Sequence, residues 1–433
     1  MNLNKILIFN IFYILYSSKI TNNNDNKTNL LFIFEHYRHG ARSPCNGLDE
    51  NYIDLLGEKW NGDCELSEKG YLQHYLIGLQ HREKYYNFLN FNKYNSNNIK
   101  VFSTNTNRTL TSIQTQLMGL FNTSYSNIVI PVHIYEENNN NKMIKPLFDY
   151  TKEKNCPNLK EYFEKNLNSE KIKNMTNYFN NNYIDIIKTI YNNTNIDFKK
   201  IEKFCSIYIS DFIDNRNLEK IKHITFNKEV LYDDCSEVIH LKHFERKIGE
   251  HLDFYAIMVM SPYMKKIVNY MDNIIEYNNN NNRFNDENNL TKYVIYSGHD
   301  TSLSLMQYFL FKIFNIKVNR IPYASFMNFY LIEDNKNYYV EYYYNDKKLM
   351  EIEYDKFKKK IIENIKPDYS IEDFCINLNN PYNKAILILS LISIVLFVVV
   401  ISLCCYYICS KKKENYINLE KVTKSIENLK NVV

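Results

Sequence analysis

Short apolar runs alternate with amphipathic segments over the first third of the chain. The runs LLFIFEHY (30–37), IKVFST (99–104) and NIVIPVHIY (127–135) have the length and composition of buried strands. The segments 66–89 and 110–121 between them have apolar residues at helical spacing. This alternation of strand and helix predicts an α/β layer.

The segment 66–89 predicts an amphipathic helix. Ser67 is a favourable N-cap residue, and Gly70 falls in the first turn. Apolar side chains then recur with a helical period, at positions 72, 76, 79 and 86. Such a stripe is typical of a helix that packs one face against the core.

The pattern changes in the middle of the chain. Between residues 149 and 289 long helical patterns dominate, no clean strand is evident, and an asparagine run ends the segment. Strand patterns return in YVIYSGHD (293–300), SFMNFYLIE (325–333) and NYYVEYYYND (337–346). We therefore expect one α/β domain built from residues 30–148 and 290–376, with a mostly parallel sheet flanked by helices and a helical insertion at 149–289.

Both ends of the chain predict membrane targeting. Residues 1–18 combine one early lysine with an apolar run, as a secretory signal peptide does. Residues 385–409 contain no charge and precede three lysines, which predicts a transmembrane helix with a cytoplasmic tail at 410–433; the alternative is a buried core helix. We expect a type I single-pass membrane protein whose ectodomain is lumenal, in a lysosome-like or endosome-like acidic vacuole, or extracellular at the cell surface.

Composition fits a globular ectodomain in an oxidising compartment. The formal charge of +4 is small for 433 residues and forms no basic stripe, which argues against a nucleic-acid partner. Six cysteines precede the predicted span, an even number that suits disulfides, but the sequence alone leaves their pairing open. Three more cysteines, 404, 405 and 409, suit S-palmitoylation or simply face the membrane. N-glycosylation sequons, some of which arise by chance in an asparagine-rich chain, begin at Asn26, Asn107, Asn122, Asn174, Asn192 and Asn289.

Candidate chemistry follows three of the predicted strands. Only eight of the 53 basic residues other than histidine are arginines, and two of them, Arg38 and Arg42, flank His39. Arg108 follows the second strand, and the pair His299-Asp300 follows the strand at 293. Ligands of open α/β sheets bind beyond the carboxyl ends of the strands, so these residues are expected to meet in one crevice. The alternatives are surface ion pairs for the arginines and a helix cap for Asp300.

Together these residues suit metal-free cleavage of a phosphate monoester. Planar guanidinium groups match the phosphate oxygens on which charge develops. One imidazole attacks phosphorus, and a carboxylic acid protonates the departing alkoxide.

The motifs RHGARSP, STNTNRT, YSGHDTS and PYAS occur in the order and spacing of the histidine acid phosphatases, and the chain resembles this branch of the histidine phosphatase superfamily from about residue 31 to 376. The resemblance is to membrane-anchored enzymes of the lysosomal and prostatic type. It implies an α/β fold with a helical cap, a phosphomonoester substrate and no metal or cofactor. It also implies that His39 is the nucleophile and Asp300 the proton donor. The residues that match the phosphate pocket are Arg38, Arg42, Arg108 and His299.

The resemblance also bears on the cysteines. Cys156 and Cys375 match a family disulfide that joins the two halves of the domain. With that pair assigned, we propose Cys45–Cys64 in the loop after RHG and Cys205–Cys235 within the cap.

Hydrolysis in this scheme needs a neutral His39 and a protonated Asp300 at once, so an optimum at roughly pH 4–6 is expected. A phytase-like or lysophospholipid phosphatase and a catalytically silent receptor or adhesion ectodomain are the alternatives.

His133 either lines the pocket or packs, and His240 and His243 are expected on a solvated helix face rather than at a metal. The tail motif Tyr416–Leu419 has the form that coat adaptors bind; the oligomeric state is left open.

Overall fold

The computed structural model describes residues 28–45, 60, 62–89, 91, 93–122, 129–134, 157–191, 196–218, 221–248, 253–279 and 290–365, with isolated positions at 397, 399, 401–403, 406, 407, 411 and 423. The chain divides into two units, residues 1–371 and 372–433. All the strands and helices named below belong to the first unit.

A single mixed sheet forms the centre of that unit. Its strands, in chain order, are β1 (Asn29–Arg38), β2 (Ile99–Ser103), β3 (His133–Ile134), β4 (Tyr293–Gly298), β5 (Phe326–Asp334), β6 (Asn337–Tyr344) and β7 (Lys347–Glu353). Their order across the sheet is β3-β2-β4-β1-β5-β6-β7. The first four strands in this order are parallel to one another, whereas β5, β6 and β7 pair in antiparallel fashion, with β5 also antiparallel to β1.

The expectation of a mostly parallel sheet is therefore wrong. Two-residue turns, Asn335-Lys336 and Asn345-Asp346, join β5 to β6 and β6 to β7, and all four residues have positive φ, between 45° and 67°. Such turns match the twist of an antiparallel hairpin. A parallel connection needs a crossover of a dozen or more residues, which this part of the chain does not contain.

Ten helices are described, and together they cover both faces of the sheet and form the helical insertion. They are α1 (Glu68–Lys84), α2 (Asn107–Phe121), α3 (Pro157–Asn166), α4 (Glu170–Asn182), α5 (Ile184–Tyr191), α6 (Phe198–Ile213), α7 (Lys228–Leu241), α8 (Asp253–Asn279), α9 (Asp300–Phe314) and α10 (Tyr354–Asn364). A π-helical turn, Lys242–Arg246, extends α7. On one face of the sheet Ile33 and Val101 pack with Leu117 of α2. On the other face Phe34 contacts Tyr263 of α8.

The helices α4 to α7 form a core of their own. Ile172, Phe179, Phe204 and Leu231 are among its fully buried side chains. No strand is described between residues 157 and 279. The last helix of this region, α8, packs against β1 and α9. The proposed limits of the helical insertion, 149 and 289, stay a prediction.

Two of the proposed disulfides are present. Cys205 on α6 is joined to Cys235 on α7, with 4.8 Å between their Cα atoms, and Cys45 is joined to Cys64. The first links two helices of the α4–α7 core, and the second closes the loop that follows β1. Cys156 and Cys375 lie outside the described residues.

Helix α1 begins as the sequence predicts but presents the opposite face to the core. The Ser67 hydroxyl accepts a hydrogen bond from the Gly70 amide, which confirms the N-cap. The predicted apolar stripe is exposed, with Leu72, Leu76 and Leu79 at 53%, 42% and 36% of full accessibility. The buried side of α1 consists of two glycines and two histidines, Gly70, His74, Gly78 and His81. The reason is close backbone contact: α1 meets its neighbours through glycines, so its larger apolar side chains point away.

The targeting segments are hardly described. Within the described part of the chain, no helix is both long enough and apolar enough to cross a membrane. Of the predicted span, only 397, 399, 401–403, 406 and 407 are described. The predicted signal peptide, the tail motif at 416–419 and the sequons at 26, 192 and 289 lie outside the described residues.

Candidate active site

The predicted convergence of three strand ends is present in the structure. Strands β1, β4 and β2 are adjacent and parallel, with Arg38 opposite Gly298 and Ser103 opposite Ser297. The residues that follow these strands therefore lie at one edge of the sheet. All six predicted site residues are held there in one connected group, through the contacts given below.

His39 is placed as a neutral imidazole. Its Nδ1 lies 2.9 Å from the carbonyl oxygen of Gly40, and because a carbonyl only accepts, Nδ1 carries the proton. The unprotonated nitrogen is therefore Nε2. Burial, together with the charges of Arg42 and Arg38, holds the pKa of His39 well below its usual range. A neutral ring with a free lone pair is what a nucleophile requires.

Three arginines surround this ring. The Arg38 guanidinium lies over the Tyr323 ring at 4.2 Å and donates to the Ile321 carbonyl at 2.6 Å, while Arg42 lies 5.8 Å from the same ring. In Arg38, Arg42 and Arg108 alike, the buried Nε has no hydrogen-bond partner among the described residues. Burial and the neighbouring Arg42 lower the pKa of Arg108 to about 10. Three crowded cations with unmatched donors favour binding of an anion.

His299 orients Arg108. Its Nδ1 lies 3.2 Å from an Arg108 terminal nitrogen, and its Nε2 lies 3.0 Å from the Thr104 hydroxyl. Because a guanidinium only donates, Nδ1 accepts and Nε2 carries the proton. Burial and Arg108 hold the pKa of His299 well below its usual range, so the ring stays neutral. The ring also lies 5.6 Å from that of His39, centroid to centroid.

Asp300 is ionised in this arrangement. Its Oδ2 lies 2.7 Å from Arg38 and 3.6 Å from His243 Nε2. Burial by itself would raise the pKa of Asp300, but Arg38 and His243 hold it well below its usual range. Asp300 can therefore act as an acid only when another negative group competes for Arg38.

The sequence reasoning missed His243. The expectation of a solvated helix face is wrong for this residue, which is only 2% exposed. The π-helical turn Lys242–Arg246 changes the helical register and turns the ring toward Asp300. The apolar neighbours Leu241 and Phe244 were the available signal that this turn is buried. His133, by contrast, is exposed on the edge strand β3, with its ring 5.5 Å from that of Phe102.

A cavity of about 160 Å³ adjoins Arg38. It lies between α6, α7, the π-helical turn and the loop at 320–323. Its lining is largely apolar, with five aliphatic or aromatic side chains from the helices and the π turn: Ile209, Ile213, Tyr232, Ile239 and Phe244. Its polar side chains include His240, His243 and Arg320. The cavity therefore offers space for a substrate group next to the arginines.

Comparison with curated proteins identifies similar sequences. The chain is 28% identical to lysosomal acid phosphatase of Xenopus laevis over 290 residues, 64% of this chain and 61% of that protein. It is 33% identical to prostatic acid phosphatase of Bos taurus over 150 residues, 33% of this chain and 36% of that protein. The chain thus spans less than two thirds of the length of the curated relatives it matches.

Solved structures show the same fold. The phytase from Citrobacter braakii superposes with a TM-score of 0.57 at 13% identity, covering 79% of this chain and all of that one. The phytase of Klebsiella sp. ASR1 gives a TM-score of 0.56 at 12% identity, covering 78% of this chain and 97% of that one. The family profile of the Histidine phosphatase superfamily (branch 2) matches residues 37–345. This match extends over most of the chain and includes all six site residues, so the chain belongs to the histidine phosphatase superfamily, branch 2.

Proposed function

We propose that this protein is an acid phosphatase that hydrolyses phosphate monoesters through a phosphohistidine at His39. The observation that carries the proposal is the neutral His39 imidazole among Arg38, Arg42 and Arg108. The arginines supply the positive charge that a transferring phosphoryl group needs.

The first step forms a phosphorus–nitrogen bond. His39 Nε2 attacks phosphorus, the ester P–O bond breaks, and the leaving oxygen takes a proton from Asp300. Without substrate, Arg38 lies 2.7 Å from Asp300. Bound phosphate competes with Asp300 for Arg38, and the negative charge of the phosphate raises the pKa of the Asp300 carboxyl. In the second step water attacks phosphohistidine and gives its proton to Asp300. His39 is thereby restored, and phosphate leaves.

The cavity beside Arg38 favours a monoester with one phosphate over an inositol polyphosphate. An inositol polyphosphate needs many cations around its ring. Arg320 is a cation in the lining, but it lies 2.8 Å from Glu237 and 3.7 Å from Asp233, so its charge is largely balanced. The apolar side chains suit a partly apolar leaving group instead. The likeness to phytases, at 12–13% identity, concerns the fold alone.

The setting we propose is lumenal or extracellular. The disulfides Cys45–Cys64 and Cys205–Cys235 suit an oxidising compartment, and curated relatives are named lysosomal and prostatic acid phosphatases. A signal peptide at 1–18 would direct the chain into this compartment, and a transmembrane span at 385–409 would anchor it there. The tail motif at 416–419 would direct it to acidic vacuoles through a coat adaptor.

The test is turnover by the full chain in detergent. A panel of glycerol phosphate, p-nitrophenyl phosphate, lysophosphatidic acid and inositol hexakisphosphate is assayed from pH 3 to 8, with His39→Ala as control. We expect turnover at acid pH, ³²P label on histidine after quenching, and loss of both in His39→Ala. No turnover of any ester would instead favour a silent receptor, and preference for inositol hexakisphosphate would favour a phytase.

A further inference from the structure

We infer that His243 holds the proton that Asp300 delivers to the leaving group, so that the two side chains act as one acid. The inference rests on the proposed function and adds a residue to it. Asp300 is the group that touches the substrate, and His243 acts through it.

The geometry singles out His243 among the histidines of the cap helices. Its Nε2 lies 3.6 Å from Asp300 Oδ2, and its side chain is buried. Within the described part of the chain, neither ring nitrogen has a hydrogen-bond partner. A buried imidazole without a hydrogen bond costs stability, and a catalytic role is one explanation for such a group. Its ring also lines the cavity that adjoins Arg38, where we place the leaving group.

The charged groups around His243 come from three elements. Asp300 lies at the start of α9 and Arg38 at the end of β1. Lys242 precedes His243 on the π-helical turn, and Lys247 follows that turn. The Lys242 ammonium is paired with Glu202 of α6 at 2.8 Å, which reduces its effect. Burial lowers the pKa of His243 to about 4, against the opposite effect of Asp300. Arg38 keeps the pKa of Asp300 lower still, so a proton shared by the pair rests on His243.

The proposed step is balanced in protons. His243 gives its Nε2 proton to Asp300 and becomes a neutral imidazole. As the P–O bond of the ester breaks, the leaving oxygen takes this proton from Asp300, which is left ionised as before. When water later attacks phosphohistidine, its proton returns through Asp300 to His243. Two interacting groups titrate as a pair, so the pair keeps its proton to a higher pH than Asp300 alone.

The experiment compares the full-length wild type with His243→Gln, whose amide can still contact Asp300 but cannot release a proton. With glycerol phosphate we expect kcat to fall by about tenfold or more, since general acid assistance is worth roughly 10²–10⁴-fold. The alkaline limb of its pH profile should also move to lower pH. With p-nitrophenyl phosphate, whose phenolate leaves without a proton, kcat should change little. His223→Gln is the matched control, because His223 is exposed between α6 and α7 and is not among the residues that line the cavity.

A second comparison uses Asp300→Asn. If His243 acts through Asp300, adding His243→Gln to Asp300→Asn should change kcat by less than twofold, whereas independent roles would give additive losses. His243→Asn serves if the glutamine variant does not fold. Equal losses with both substrates, an unmoved alkaline limb, or additivity would overturn the inference. Each of these outcomes requires an active wild type, whereas an inactive wild type would overturn the proposed function itself.

Discussion

At Gly70 a single added methyl group tests how helix α1 positions the loop after β1, which carries His39 and Arg42. A Cβ at Gly70 would lie 2.1 Å from the Ala41 carbonyl oxygen and 2.9 Å from the Ala41 nitrogen. The contact is reciprocal, because a Cβ at Gly40 would lie 2.5 Å from the Gly70 oxygen. Ordinary contacts at a Cβ are 3.4 Å or longer, so Gly70→Ala must push the loop away by about 1 Å.

Two magnitudes follow from that shift. Overpacking costs about 1–3 kcal/mol of folding free energy, and replacing a helical glycine returns up to about 1 kcal/mol. The net loss of stability is therefore modest. Activity should fall far more, because a misplacement of about 1 Å can reduce turnover roughly 10²-fold. The moved residue, Ala41, lies between His39 and Arg42. Its shift should therefore disturb both the proposed attack of His39 on phosphorus and the proposed binding of phosphate by Arg42.

Gly78→Ala is the matched control. Its Cβ would lie equally close, 2.1 Å, to the Gln116 carbonyl of α2, far along the same helix from the loop. We expect both variants to lose similar stability in urea unfolding. With p-nitrophenyl phosphate, only Gly70→Ala should lose kcat/KM, and by about 10²-fold. If folded Gly70→Ala keeps its activity, or if Gly78→Ala loses as much, the proposed role of the α1 contact is wrong.

Three further outcomes are expected. Asp300→Asn should slow glycerol phosphate hydrolysis by roughly 10²–10⁴-fold, and p-nitrophenyl phosphate hydrolysis much less; equal losses in steady-state assays would make Asp300 a structural residue. EDTA should leave turnover unchanged, because arginines supply the positive charge at the site; a loss restored by a divalent cation would contradict this. Buried Glu35, 3.2 Å from His81, has a lowered pKa, so it stabilises the fold above its unfolded pKa and less as the pH falls. The melting temperature of Glu35→Gln should therefore approach that of the wild type between pH 7 and 3; a constant gap in calorimetry would refute this.

The sequence by itself determined the parts of the site that depend on local features. Strands β1, β2 and β4 are short, mainly apolar runs. His39 and His299 directly follow β1 and β4, and Arg108 comes five residues after the end of β2, so both the strands and the site residues at the sheet edge were predictable. The Ser67 cap is equally local, since its hydroxyl bonds the amide three residues on. These features need only a few neighbouring residues, and the structure agrees with them.

Only the tertiary structure decided which groups are buried and which partners they meet. The apolar stripe of α1 faces outward because Gly70 and Gly78 on its other side lie against the backbone of neighbouring segments. The period of apolar residues in the sequence does not indicate which side makes this contact. The ionised state of Asp300 depends on Arg38, 262 positions earlier in the chain, at 2.7 Å. His243 reaches the site through one π-helical turn. Burial and charge depend on distances between segments remote in sequence, and those distances exist only once the chain has folded.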